Sequence, residues 1–149
     1  MKASYDQIVM ENEICSLIQI QRRNGGESSL IPKVIEYGQF NSTAFTDEEH
    51  GEEMFYYLMP YYGQQNLDQY LGKLGDVSAH AKCGIVLRIA QKVTEALELV
   101  HSAGYTYNDL KGENIMIDDS DGELKIHLID FGFASPFLVY NGSNFIHER

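Results

Sequence analysis

Positive charge is scarce in this chain of 149 residues: 11 lysines and arginines stand against 22 aspartates and glutamates, a net charge of −11. That balance excludes passive attraction to nucleic acid or to an anionic membrane as a basis for binding. Long hydrophobic runs are missing too. The first twenty residues, MKASYDQIVMENEICSLIQI, carry acids inside their apolar part and fit neither a signal peptide nor a membrane span. The expected address is therefore intracellular, cytoplasm or nucleus. Only two cysteines occur, Cys15 and Cys83, far apart and in no CxxC or Cys/His cluster, so reduced and buried thiols are expected rather than a disulfide or a zinc site. HExxH, GxSxG, GxxxxGK(S/T) and GxGxxG are all absent. The acidic run DDSDGE is no calcium loop, because with Gly122 in the sixth place Ile117 and Leu128 would fill the first and twelfth, and neither side chain ligates calcium.

What is present suffices for a core, with 44% hydrophobic residues, and so argues against disorder. From Asp6 to Ile20 the apolar Ile8, Val9, Ile14, Leu17, Ile18 and Ile20 predict a helix with one buried stripe, ending before the turn RRNGGESS. IPKVIEYGQF and EEMFYYLMPYYG predict two antiparallel strands. NLDQYL starts a short helix capped by Asn66 and broken at Gly72 and Gly75. Ser78 caps a longer helix, Ala79 to His101, in which Val86, Ile89, Ala90, Val93, Leu97 and Val100 repeat at three- and four-residue steps before Gly104. A polar loop, a strand at NIMI, the acidic turn and a strand at LKIHLID follow. This order predicts an α+β chain in which a sheet region precedes a mainly helical one.

One constellation remains that carries chemistry: NDLKGEN, then LIDFG, an acid five residues before an asparagine and a second acid closing a strand before Phe-Gly. Together with the strand pair between them and the preceding helix end LELVHSAGY, these motifs resemble the catalytic loop and the metal-binding Asp-Phe-Gly of the protein kinases. ENEICSLI resembles the kinase helix whose glutamate pairs with a strand lysine. Glu11 is expected in that role, because Ile14, Cys15 and Ile18 stand three, four and seven residues after it. The candidate lysine is Lys2, nine residues upstream. YYLMPYYG resembles the strand and hinge that receive adenine, with Met59 as gatekeeper, Pro60 offering its carbonyl and Tyr62 offering both backbone groups. YYGQQNLDQYL, YNDLK and LIDFGFA are most like the casein kinase 1 family of Ser/Thr kinases.

The resemblance implies transfer of the γ-phosphoryl group of ATP to a protein Ser or Thr hydroxyl, with Mg2+ as cofactor and no nucleic-acid or membrane partner. Asp109 would orient the hydroxyl and accept its proton, Lys111 would reach the γ-phosphate, and Asn114 and Asp130 would hold magnesium through oxygen. Departures from the family pattern accompany these matches. Tyr107 and Asn108 stand for the His and Arg of the His-Arg-Asp triplet, so a phosphate on the activation segment would lack its usual cationic partner. Gly112 replaces the common proline and is expected to loosen the loop. No glycine-rich loop precedes Glu11, and the helices that normally follow the activation segment do not appear. Residues 1–149 are thus expected to form a partial kinase domain, with 1–60 a partial N-lobe and 61–149 the hinge and partial C-lobe. The chain alone is expected to show no turnover; the alternative is a kinase-derived module that binds nucleotide or protein without catalysis.

Overall fold

The computed structural model describes residues 1–26, 28–44, 52–63, 65–75, 77–140 and 145–147. Strand β1 (Lys2–Ser4) leads into α1 (Gln7–Arg23), whose first turn is capped by the Asp6 carboxylate accepting from the Val9 amide at 3.1 Å. The strands β2 (Glu36–Asn41) and β3 (Glu53–Leu58) pair antiparallel, and β1 joins the other edge of β3, giving the order β1-β3-β2. The sequence pattern anticipates β2 and β3, and β1 is the addition, a strand of three residues, too short to show a period.

Helix α1 lies against β3 through Met10, Glu13, Ile14, Ser16, Leu17 and Ile20. This stripe corrects the expected one. Ile8 is 80% exposed and Val9 is exposed as well, because the residues at 10, 13, 14, 17 and 20 set the inward face and position 8 lies some 200° round from position 10. Cys15 falls between inward-facing neighbours onto the outer face and is exposed; Cys83, on the outer side of α3, is exposed too. Both are free thiols, and the expectation of burial fails for each.

The second half begins with β4 (Gln65–Asn66) and α2 (Leu67–Gly72), where Asn66 and Gln69 cap each other's backbone reciprocally. Ser78 caps α3 (Ala79–Ser102), and Gly104 beyond its end takes φ 78°. Of the expected α3 stripe, Ile89 and Val100 are buried, and Val93 and Leu97 are partly so. Val86 and Ala90 instead line an open apolar groove with Leu67, Leu71, Ile89, Val93 and Ile115. Strands β5 (Tyr105–Thr106), β6 (Ile115–Asp118), β7 (Lys125–Leu128) and β8 (Ser135–Pro136) follow, then a hairpin of β9 (Leu138–Tyr140) and β10 (Phe145–His147). β6 is the centre of a β4-β6-β7 sheet, and β5 pairs with β8.

A shared core runs from Met10, Leu17 and Tyr57 in the first half to Val100, Ile126, Leu128 and Phe131 in the second. The segment after α1 is tied across to β7, where the Leu128 amide donates to the Leu30 carbonyl at 2.8 Å and the His127 ring meets the Ser29 carbonyl. Among the described residues no helix is long and apolar enough to cross a membrane.

Candidate active site

Two clusters of charge sit where the halves meet. The first is built on the loop between β5 and β6. Asp109 receives the Lys111 ammonium on Oδ2 at 2.9 Å and the Asn114 side-chain amide on the same oxygen at 2.7 Å. Asn114 also donates to the Asp109 carbonyl at 3.0 Å, and its burial at the head of β6 fixes the loop's exit. The hydrogen bond from Lys111 holds the Asp109 carboxyl below its ordinary range against the opposing push of burial, and Asn114 adds a smaller lowering; in return Asp109 raises the Lys111 ammonium. Lys111→Met is therefore expected to bring the Asp109 carboxyl back up towards the usual carboxylate range in an NMR titration. An unmoved Asp109 would mean that the pair is not populated in solution.

The loop is tighter than its glycine suggests. Gly112 opens a 3-10 turn (Gly112–Asn114) beneath Asp68, and a Cβ there would stand 2.0 Å from the Asp68 Oδ1. Instead of loosening the loop, Gly112 admits a carboxylate from α2 against it. Tyr107 packs edge-on to Phe131, ring centres 5.0 Å apart, and its hydroxyl donates to the Ile129 carbonyl. Asn108, at φ 65°, donates its amide to the Phe133 carbonyl at 3.1 Å and the Ser135 hydroxyl at 2.9 Å. It fastens the segment after Asp130 directly, where an arginine would await a phosphate.

The second cluster joins three elements. Lys2 on β1 places its ammonium 2.7 Å from Glu13 Oε2 on α1 and 2.7 Å from Asp130 Oδ1 beyond β7. Burial alone would lower the Lys2 pKa, but the hydrogen bonds and charges of Asp130 and Glu13 outweigh it and hold the ammonium above its ordinary value. Glu13 is 0% exposed, and its Oε1 accepts from the Phe131 amide at 2.9 Å. The lysine's partner is thus Glu13 and not Glu11, which is exposed and accepts from Gln7 at 2.7 Å. The physical reason is the helix register: Glu13 shares the inward face with Met10, Ile14, Leu17 and Ile20, and Glu11 points away from it. The sequence is compatible with this face, since Met10, Glu13, Ile14 and Leu17 stand at i, i+3, i+4 and i+7, but Glu11 with Ile14, Cys15 and Ile18 offers the same spacing.

Asp130 takes φ 62°, unusual for a residue with a side chain. Its neighbours are held from both sides: Glu13 takes the Phe131 amide, and Asn12 donates to the carbonyls of Gly132 and Ala134 at 3.1 and 3.2 Å. Across β6 and β7, Ile115 is in register with Leu128, and the Ile129 amide donates to the Asn114 carbonyl at 2.9 Å. The pairing brings Asn114 and Asp130 towards each other from the ends of adjacent strands. Among the described residues no three His, Cys, Asp or Glu side chains converge on one point. One carboxylate and one amide oxygen suit magnesium, which keeps waters and phosphate oxygens for the rest of its shell.

The linker after β3 carries the other expected residues. Met59 packs against the core and Pro60 is half-buried. Tyr62 stacks its ring on His127 at 4.5 Å and accepts from the Lys33 amide at 2.9 Å, so its side chain serves the scaffold. At Gly63, φ 98°, a Cβ would meet the Ile117 carbonyl at 2.7 Å, so only glycine lets the linker pass β6 this closely.

An α+β chain with an acid–lysine–asparagine loop facing a lysine–glutamate–aspartate cluster has the build of a kinase. It belongs to the protein kinase domain family, whose model matches residues 7–143. Nucleosomal histone kinase 1 of Drosophila melanogaster is 30% identical over 122 residues, 81% of this chain and 18% of that protein. A probable casein kinase I homolog of Encephalitozoon cuniculi is 34% identical over 56 residues, 38% of this chain and 17% of its own length. A human cAMP-dependent protein kinase catalytic subunit is 39% identical over 89 residues, 60% of this chain and 23% of that one. The chain thus spans less than a quarter of each of these relatives.

Proposed function

We propose that this chain carries the nucleotide site and catalytic loop of a casein-kinase-1-like protein Ser/Thr kinase, with residues 1–60 belonging to the small lobe and 61–149 to the hinge and large lobe. The observation that carries the reading is the convergence of Lys2, Glu13 and Asp130 beside the Asp109–Lys111–Asn114 loop. Lys2 would exchange its contact with Asp130 for ATP phosphates while keeping Glu13. Asn114 and Asp130 would hold Mg2+, which when bound offsets phosphate charge and orients the phosphates. Asp109 would take the proton of a Ser or Thr hydroxyl as its oxygen bonds to the γ-phosphorus and the bond to ADP breaks, with Lys111 balancing the charge on the transferred group. Met59, Pro60 and the Tyr62 backbone would border the adenine.

The casein-kinase-1-like assignment rests on YNDLK, LIDFGFA and YYGQQNLDQYL, and the match to a probable casein kinase I homolog fits it. A net charge of −11 favours protein over nucleic-acid partners, and the two free thiols suit the reducing interior of a cell. A second reading, binding without transfer, is favoured by the open groove along α3, an apolar surface suited to a protein partner.

Titration of the purified chain with a fluorescent ADP analogue tests the first reading. Binding is expected to tighten about tenfold on adding Mg2+, equivalent to about 1.4 kcal/mol, and Asp130→Ala should remove the tightening. Affinity indifferent to Mg2+ would overturn the magnesium role of Asp130.

A further inference from the structure

Both oxygens of the Glu13 carboxylate face a partner, one through charge and one through hydrogen bonds. Oε2 meets the Lys2 ammonium, and Oε1 accepts twice, from the Phe131 amide at 2.9 Å and from the Tyr57 hydroxyl at 3.0 Å. Tyr57 and Glu13 are both 0% exposed. The Tyr57 hydroxyl comes from β3, and the register of the sheet explains how it arrives: Lys2 on β1 is the direct cross-strand partner of Tyr57, so both side chains leave the same face towards α1. Position 57 needs an aromatic ring for the core, and phenylalanine would supply it without the expense of burying a hydroxyl. Among the described residues the hydroxyl has one acceptor, and that acceptor is the glutamate that organises the site.

We propose that Tyr57 is a positioning residue of this site, its hydroxyl holding Glu13 in the rotamer that serves Lys2 and the Phe131 amide together, and through Phe131 fixing the backbone that aims Asp130. Without the hydroxyl, the carboxylate loses one of its three anchors and can turn towards the Lys2 ammonium and away from the Phe131 amide. That amide adjoins Asp130, whose left-handed backbone depends on support from its neighbours. Burial, then the charge and hydrogen bond of Glu13, push the Tyr57 phenol far above its ordinary pKa. It therefore stays a donor at every working pH, and the bond to Glu13 runs in one direction only. The nucleotide part of the inference rests on the kinase reading; the effect on Phe131 does not.

The experiment compares Tyr57→Phe with the unaltered chain in two measurements. In amide hydrogen exchange, the Phe131 amide is expected to exchange about tenfold faster, the loss of one hydrogen bond to a charged group, while the amides of the β2–β3 ladder keep their rates. In nucleotide titration, the Mg2+-dependent part of the affinity should fall about tenfold by the same conversion, with Mg2+-free affinity within about twofold. An unchanged Phe131 rate overturns the proposal. A uniform acceleration of all amides overturns it too, because it would make the hydroxyl a general stabiliser. If the unaltered chain binds no nucleotide, the kinase reading fails, and the exchange result still decides the role of Tyr57. Glu13→Gln provides the control: it should speed Phe131 exchange in the same place.

Discussion

Asp109→Ala is expected to lower phosphoryl transfer by about 10²- to 10⁴-fold, the span of a positioned general base, and to leave Mg-nucleotide affinity within about twofold. The split follows from the geometry. Asp109 touches Lys111 and Asn114 through its carboxylate, and both lose that partner in the variant. Asn114 keeps a second bond, to the Asp109 backbone carbonyl, which alanine preserves, so the proposed magnesium donor stays in position. Lys111 loses its anchor and remains able to reach a phosphate. What disappears, on the proposed reading, is the acceptor for the hydroxyl proton, which would matter to transfer and not to nucleotide binding. The assay is radiolabel transfer to a Ser/Thr peptide, in whatever length of the protein shows turnover. Undiminished transfer would remove Asp109 from the chemistry. An equal fall in nucleotide affinity would move it from the reaction to the binding of ATP, and would favour the non-catalytic reading.

The parts of this site visible in the sequence are those made locally. Asp109, Lys111 and Asn114 lie within six residues, and their mutual contacts need only one loop and one 3-10 turn. Asn66 and Ser78 cap the helices that their position and type predict. Other parts depend on partners far along the chain. Glu11 and Glu13 both have apolar residues at helical spacing after them, so α1 alone does not choose between them; β3 and the Phe131 amide do, from 44 and 118 residues away. The run YYLMPYYG resembles a strand and hinge, a reading that assigns Met59, Pro60 and Tyr62 and leaves Tyr57 unmarked, and only the opposed register of β1 and β3 gives the Tyr57 hydroxyl a task. The bonds of Asn12 and Asn108 are not legible, Asn108 reading only as the residue in place of an arginine, since the carbonyls they bind carry no sequence mark. The two thiols escaped for the opposite reason. Cysteine is usually buried, and on these two helices the residue sits on the face that nothing described here covers.

Stability offers the sharpest contrast between the two glutamates. Glu13→Ala is expected to cost about 3 kcal/mol, the lower end for breaking a buried ion pair, and Glu11→Ala no more than about 0.5 kcal/mol, as for an exposed side chain. The lower end applies because Lys2 is partly exposed and still has Asp130 at 2.7 Å, so its charge is not stranded when Glu13 goes. The loss is then shared between the Phe131 amide and the Tyr57 hydroxyl, two buried donors left without the acceptor they use here. Urea unfolding of the three proteins at one pH measures both values, provided the transition is two-state. Glu13→Gln should fall between them, since its amide oxygen can still accept from one donor while the charge that faces Lys2 is gone. Equal costs for Glu11→Ala and Glu13→Ala would mean that α1 does not present the Met10, Ile14, Leu17 face to β3. Lys2 would then have no buried carboxylate to answer it, and the backbone around Asp130 would lose the Phe131 bond and keep only those outside α1's inward face, from Asn12 and Asn108 among them.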